Sequence, residues 1–354
     1  MIQTDKKINL KGLTLPELQE YFVSIGEPKF RGEQIFNWMY NHLSFDFDEM
    51  QNISKELRQK LSADCSLQTL SLTATQDSPT TATKKYLFAT HDNKKIESVV
   101  IPERERNTLC ISTQVGCPLD CKFCATGLMG YKRNLTPGEV VDQYLLTAKE
   151  YGKENITNIV YMGMGEPLLN YETTIKSTEI FTHELTKGLS RTRITVSTAG
   201  IAPKINELAD HGLRVKLAFS LHSAFEDIRN KIMPINKKYS LKENVAALKY
   251  YAKKTKTRIT FEYTMLKGLN DRDEDVKALT KLCSSLPSKI NLIPFNSIKH
   301  MNPGGISAHL EPTSHENILK FADKLRNNNI TVMIRQTQGD DIAAACGQLA
   351  VKAG

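Results

Sequence analysis

Residues 114–127 read QVGCPLDCKFCATG, a loop carrying Cys117, Cys121 and Cys124 in a C-x3-C-x2-C spacing after the apolar run LCIST. Iron–sulfur cubes are ordinarily held by four Cys thiolates. Three thiolates leave one iron open, so either a distant side chain completes the site or a small molecule does. The second arrangement implies chemistry at the cluster. Structural zinc is the competing use of Cys121-x2-Cys124, and it needs Cys110 or Cys117 plus a histidine to complete a tetrahedral shell. The chain has no second C-x2-C and no H-x3-H, which disfavours zinc.

Outward from this loop, apolar runs alternate with amphipathic stretches from Asn107 onward. The runs are LCIST, NIVYMG, RITVSTAG, VKLAFSLHS, RITFEYTML and KINLIPFNS, with a later TVMIRQ. The stretches between them carry helix-start signals at Thr136–Glu139, Ser240–Glu243 and Thr313–Glu316, each an S/T-x-x-E capping box. Continuous apolar strands separated by helices predict a parallel sheet covered by helices. Six repeats predict an α/β fold, a partial (β/α)6 barrel over 107–354. A closed eight-fold barrel would need two further units beyond Arg335.

Upstream, Leu13 to Leu61 has helical periodicity, with Pro16 in a first turn and Gly26 able to close the first helix. This predicts a small N-terminal helical domain over 1–65. Residues 66–106 change to alternating patterns (LQTLSLTAT, KYLFAT, IESVVIPE) around an Asp92-Asn93 turn, predicting a short connecting β segment.

With 354 residues and 40% hydrophobic composition, the chain can bury one large core and a smaller appendage. Met1 to Leu10 lacks the apolar stretch of a secretory signal, and no run approaches the roughly 20 apolar residues of a membrane span. The expectation is a cytoplasmic protein with no membrane association. Seven cysteines then read as reduced thiols, ligands or redox groups, with Cys65 and Cys283 as small buried hydrophobes. The net charge of +8 is uneven: residues 1–100 hold 12 Lys and Arg against 13 Asp and Glu, leaving 35 against 26 for the remainder. That surplus suits a polyanionic partner, although such faces are also ordinary solvated surface.

Ligands of parallel α/β folds gather at the carboxyl ends of strands, where several candidate residues fall. Gly165 in GMGEPL lets the backbone approach a ligand, and Glu166 supplies a carboxylate. Ser197 ends the third strand, Ser220, Leu221 and His222 end the fourth, and Asn296 follows the sixth. Singly these are ordinary turn and cap residues. Together they form a polar ring able to hold a ribose, a carboxylate and an adenine. Cys346, in GDDIAAACGQL, is either a buried spacer or a thiol that small neighbours leave accessible. Cys110 reads as a buried strand thiol, and Glu97 as a solvated charge beside Lys94 and Lys95.

The cysteine loop resembles that of the radical S-adenosylmethionine (SAM) superfamily. QVGCPLDCKFCATG, YMGMGEPLLN, STAGIAP, FSLHS, MPIN at 233–236, IPFN and GDDIAAACGQL, in this order, resemble the RlmN family of bacterial adenine C2 methyltransferases acting on 23S rRNA and tRNA. The resemblance covers nearly the whole chain, with one departure at Ala343, where the family commonly has Asp. It implies a 4Fe-4S cluster on Cys117, Cys121 and Cys124 with SAM at the open iron, and SAM contacts from Gly165, Glu166, Ser197, Ser220, Leu221, His222 and Asn296.

By the same resemblance Cys346 is methylated by one SAM, and a second SAM is cleaved to a radical that activates that methyl group for addition to C2. Glu97 removes the C2 proton, and Cys110 attacks the Cys346 sulfur to release the product as a disulfide forms. Also implied are an electron donor such as flavodoxin, a monomeric state, and an RNA-binding helical domain. The target adenine must be unstacked to enter; Lys132 and Arg133 are candidates for phosphate contact. Lys253, Lys254, Lys256 and Arg258 read better as an exposed helix end. Two alternatives stand beside this reading. One is the related C8 methyltransferase of 23S rRNA that confers antibiotic resistance, from which GMGEPL and Gly339-Asp340-Asp341 point away. The other is a non-catalytic RNA-binding protein with a structural metal.

Overall fold

The computed structural model describes residues 7–351. Ten strands form one open sheet in strict chain order: β1 (Leu70–Asp77), β2 (Lys84–Thr90), β3 (Lys95–Glu103), β4 (Arg106–Cys110), β5 (Asn158–Tyr161), β6 (Ile194–Thr198), β7 (Lys216–Ser220), β8 (Ile259–Met265), β9 (Ser288–Pro294) and β10 (Val332–Ile334). From β4 to β10 every neighbouring pair is parallel. Strands β1 to β4 form an antiparallel meander that extends the same sheet. The six apolar runs are β4 to β9, and TVMIRQ supplies β10 at the edge. The sheet ends at β10 and β1 without closing on itself.

Helices α1 (Leu15–Ser24), α2 (Phe30–Tyr40) and α3 (Lys55–Asp64) form the N-terminal unit; α4 (Pro137–Tyr151), α5 (Tyr171–Thr182), α6 (Ala202–His211), α7 (Leu241–Thr255), α8 (Asp273–Cys283) and α9 (His315–Asn327) connect the parallel strands. Thr136 and Ser240 close the expected capping boxes with Glu139 and Glu243. The third box does not form. Thr313 gives its hydroxyl to Asp271 at 2.8 Å, and Ser314 caps α9 instead by accepting from the Asn317 amide. Among the described residues no helix is long and apolar enough to cross a membrane.

The ladder register sorts the side chains into two faces, because alternate residues of a strand share a face and ladder partners share it too. One face carries Leu109, Ile159, Val196, Leu217, Phe219, Phe261 and Ile290, all buried. Burying such side chains contributes roughly 1.5–3 kcal/mol each. The opposite face pairs Val99 with Cys110, Cys110 with Val160, Ser197 with Ala218, Ser220 with Glu262, and Glu262 with Asn291. Glu97 and Lys85 share that face through β2 and β3. A sheet apolar on one side and lined with chemistry-bearing residues on the other is the frame of the site.

Candidate active site

The cysteine loop follows β4 through a small hairpin, Gln114–Gly116 against Tyr131–Asn134. Gly116 has a positive φ of 73°, and a Cβ there would meet the Gly130 carbonyl oxygen at 1.8 Å, so only glycine allows the hairpin to close under the loop. Cys124 precedes a short helix, Ala125–Leu128. The Lys122 amide donates to the Ile232 carbonyl at 2.9 Å, pinning the loop to the segment after β7.

Burial pushes the Cys117 thiol up to about 12 and the Cys121 and Cys124 thiols upward as well, and each of Cys117 and Cys121 is raised further by its cysteine neighbours. Three thiols on one short loop, near enough for Cys117 and Cys121 each to feel another's charge, are the soft donor set that an iron–sulfur cluster takes. The donor set therefore fits a three-thiolate iron–sulfur cluster. Cys110 stands apart from this trio. Burial pushes its thiol up to about 12, and the charges it feels come from Cys346 and Arg335.

A different cluster of ligand-type groups, His91, Asp92 and Glu139, is already neutralised. Arg133 forks into both carboxylates, at 2.6 Å to Asp92 and 2.8 Å to Glu139. That engagement also removes Arg133 from the phosphate contacts expected of it. Lys254 is likewise paired, with Asp210 at 3.0 Å, at the end of α7.

The predicted polar ring lies at the carboxyl ends of β5 to β9, with a different division of labour than the sequence implies. Gly165 has a φ of 102°, and a Cβ there would strike the Gln114 side chain at 2.6 Å; its smallness serves packing against the cysteine hairpin. The Glu166 carboxylate accepts from the amides of Leu168 (3.0 Å) and Ala199 (2.7 Å), clasping the turn after β5 to the turn after β6. Burial pushes it up to about 7.

Ser197 and Ser220 share the polar face, while Leu221 contributes backbone, its amide donating to the Glu262 carbonyl at 3.0 Å. His222 is buried at a positive φ of 52°. Its Nδ1 accepts from the Thr264 amide at 3.0 Å, and its ring packs on Phe123 of the cysteine loop with centroids 4.5 Å apart. Burial, followed by Arg229, lowers its pKa to about 3, so the ring is neutral.

Arg229 was not foreseen. It is fully buried and donates to the carbonyls of Ala199 (2.5 Å), Ser220 (2.7 Å) and Leu221 (2.5 Å), and to Asn236 Oδ1 (2.8 Å). One guanidinium thus ties the ends of β6 and β7 to the MPIN turn. Nothing in EDIRNKI distinguishes it from a surface helix charge. Asn270, also fully buried, similarly bonds the carbonyls of His222 and Thr264 at 2.7 Å.

The carboxyl-terminal segment folds back over the cysteine helix. Ala125 donates to the Gly347 carbonyl at 2.7 Å, and Thr126 Oγ1 to the Leu349 carbonyl at 2.6 Å. Asn296 donates from Nδ2 to the Cys346 carbonyl at 3.1 Å, Gln348 bonds Asp340 at 2.6 Å, and Ser78 bonds Asp341 at 2.9 Å. These bonds account for most polar residues of GDDIAAACGQL. Cys346 is exposed to solvent, yet enough protein surrounds it that burial pushes its thiol up to about 11.

Arg335, which follows β10, acts on the thiols of Cys110 and Cys346 and on Glu262. Glu97 is buried, 3.4 Å from Lys85, with Oε2 lacking a partner. Burial raises its pKa, opposed by Lys85 and by the Ala350 amide of the same carboxyl-terminal segment. The fold therefore gathers Glu97, Cys110 and Cys346 into one neighbourhood beside the cysteine loop.

The fold and this site define a radical SAM methyltransferase. Residues 111–280 match the radical SAM superfamily profile, and residues 8–67 match the ribosomal RNA large subunit methyltransferase N-terminal domain. A crystal structure of a radical SAM methyltransferase from Sphaerobacter thermophilus superposes with a TM-score of 0.90 at 40% identity, over 97% of this chain and 99% of that one. The dual-specificity RNA methyltransferase RlmN of Alcanivorax borkumensis is 41% identical over 97% of this chain and 90% of its own length, and the probable RlmN of Thermotoga neapolitana 45% identical over 97% and 98%. The chain belongs to the RlmN family of RNA methyltransferases.

Proposed function

We propose that this protein methylates C2 of an adenosine in 23S rRNA and of the adenosine 3′ to the anticodon in tRNA, using a methyl group carried on Cys346. The observation that carries the reading is the convergence of Cys346, Cys110 and Glu97 beside the three-cysteine loop. When bound by Cys117, Cys121 and Cys124, a 4Fe-4S cluster supplies the electron that cleaves SAM reductively. Gly165, Glu166, Ser197, Ser220, Leu221, His222 and Asn296 frame the SAM pocket.

The chain's own residues divide the remaining work. The Cys346 thiolate displaces S-adenosylhomocysteine from one SAM and becomes a methyl thioether. Its exposure to solvent lets a splayed-out base reach it. Glu97, buried and with a free oxygen, accepts the C2 proton. Cys110, neighbouring Cys346, attacks its sulfur, so that the carbon–sulfur bond to the product breaks as the Cys110–Cys346 disulfide forms. The helical unit grips RNA, a flavodoxin-like protein supplies the electron, and the protein acts as a cytoplasmic monomer.

Nucleoside mass spectrometry of 23S rRNA and tRNA from cells with and without the gene tests the reading. Gene-dependent 2-methyladenosine in both RNAs supports it, and 8-methyladenosine overturns it. Cys346→Ala abolishes methylation, whereas Cys110→Ala accumulates a covalent protein–RNA adduct; normal turnover by the latter removes the role given to Cys110.

A further inference from the structure

Glu262 on β8 and Asn291 on β9 are register partners on the polar face, with only 4% and 8% of their surfaces exposed. Asn291 donates from Nδ2 to Glu262 Oε1 at 2.9 Å. The Asn291 nitrogen therefore faces Glu262, and its carbonyl oxygen turns away from this bond. The bond leaves Glu262 Oε2 and Asn291 Oδ1, on neighbouring strands, both buried and both without a donor. A buried polar atom left unpaired is destabilising. Two acceptors with the same deficit on hydrogen-bonded neighbours suit a ligand that brings two N–H bonds to them.

Ser220 is the ladder partner of Glu262 on its other side, and the Leu221 amide bonds the Glu262 carbonyl. Cys346 lies close enough to feel the Glu262 charge. The acceptor pair thus borders both the strand ends and the methyl-carrying thiol. We propose that Glu262 and Asn291 select the RNA base by accepting the two N–H bonds of its exocyclic 6-amino group. This inference rests on the adenosine C2 reading above. The 6-oxo group of guanine or hypoxanthine would set a third acceptor against the pair. The adenine of SAM carries the same amine; proximity to Cys346, which must meet the RNA base, assigns the pair to RNA.

The test uses the full chain, reconstituted with iron and sulfide, and anticodon stem-loop RNAs that differ only in the target base: adenine, purine or hypoxanthine. Wild-type kcat/KM falls by about 100-fold or more from adenine to purine, as expected of a site built to bond a missing group, and falls further with hypoxanthine. Glu262→Gln adds a donor and raises hypoxanthine relative to adenine, a reversal that a merely structural defect does not produce. Should that variant not fold, Asn291→Ala serves, with an adenine-to-purine ratio about tenfold below wild type. Equal use of adenine and purine by wild type overturns the proposal while methylation stands. Failure to methylate even the adenine stem-loop removes the underlying reading and the proposal with it. An unchanged base ranking in Glu262→Gln with weakened SAM binding in equilibrium dialysis assigns the pair to SAM and also overturns it.

Discussion

Asn296 holds the Cys346 carbonyl through a 3.1 Å hydrogen bond, and its Oδ1 accepts from Thr337 at 3.2 Å. A residue expected to bind SAM therefore also sets where Cys346, the proposed methyl acceptor, stands. Asn296→Ala should slow S-methylation of Cys346 by about tenfold, in line with one lost hydrogen bond to a partly buried group. Intact-protein mass spectrometry after incubation with SAM measures this directly, and an unchanged methylation rate would show that the bond does not position the thiol.

Arg229 joins three loops with hydrogen bonds to neutral acceptors. Replacing it with Met leaves the carbonyls of Ala199, Ser220 and Leu221 without that donor, at a cost of about 3 kcal/mol or more. Urea unfolding of the apo protein should show this loss, and SAM binding should weaken with it because the ends of β6 and β7 separate. A Met variant as stable as wild type would contradict the assigned role.

His222 gives a pH signature. Its folded pKa of about 3 lies below the ordinary histidine value, so the unfolded chain binds the extra proton between roughly pH 6.5 and 3. The stability linked to the neutral ring is fully present above about pH 6.5 and drains away as pH falls toward 3. Urea unfolding of wild type and His222→Asn across this range should converge at acid pH; parallel curves would show that the ring titrates normally.

The departure at Ala343 has a backbone consequence. Its φ of 49° and ψ of 45° lie in the left-handed region, which costs a non-glycine residue about 1–2 kcal/mol. Ala343→Gly should raise stability by up to about 1 kcal/mol, and Ala343→Asp by less, through easier access to this conformation. Thermal unfolding decides the sign.

The parallel core was legible because buried strands read as unbroken apolar runs, and the capping boxes at Thr136 and Ser240 because hydroxyl and carboxylate sit three apart. The box at Thr313 shifted because Asp271, distant in sequence, captures its hydroxyl. Glu97 could not be distinguished from its lysine neighbours until the register turned it inward beside Lys85. Glu262 left a signal that went unread: a lone carboxylate inside ITFEYTM, an otherwise uncharged stretch. Arg229 left none, since its partners are carbonyls brought together only by the fold.

The seam joining Ala125 and Thr126 to Gly347 and Leu349 makes the three-cysteine loop the seat of Cys346, the proposed methyl carrier. Oxygen damage that unravels the loop would unseat Cys346 in the same event. Both half-reactions would then stop together, sparing the cell an enzyme that keeps consuming SAM without modifying any RNA.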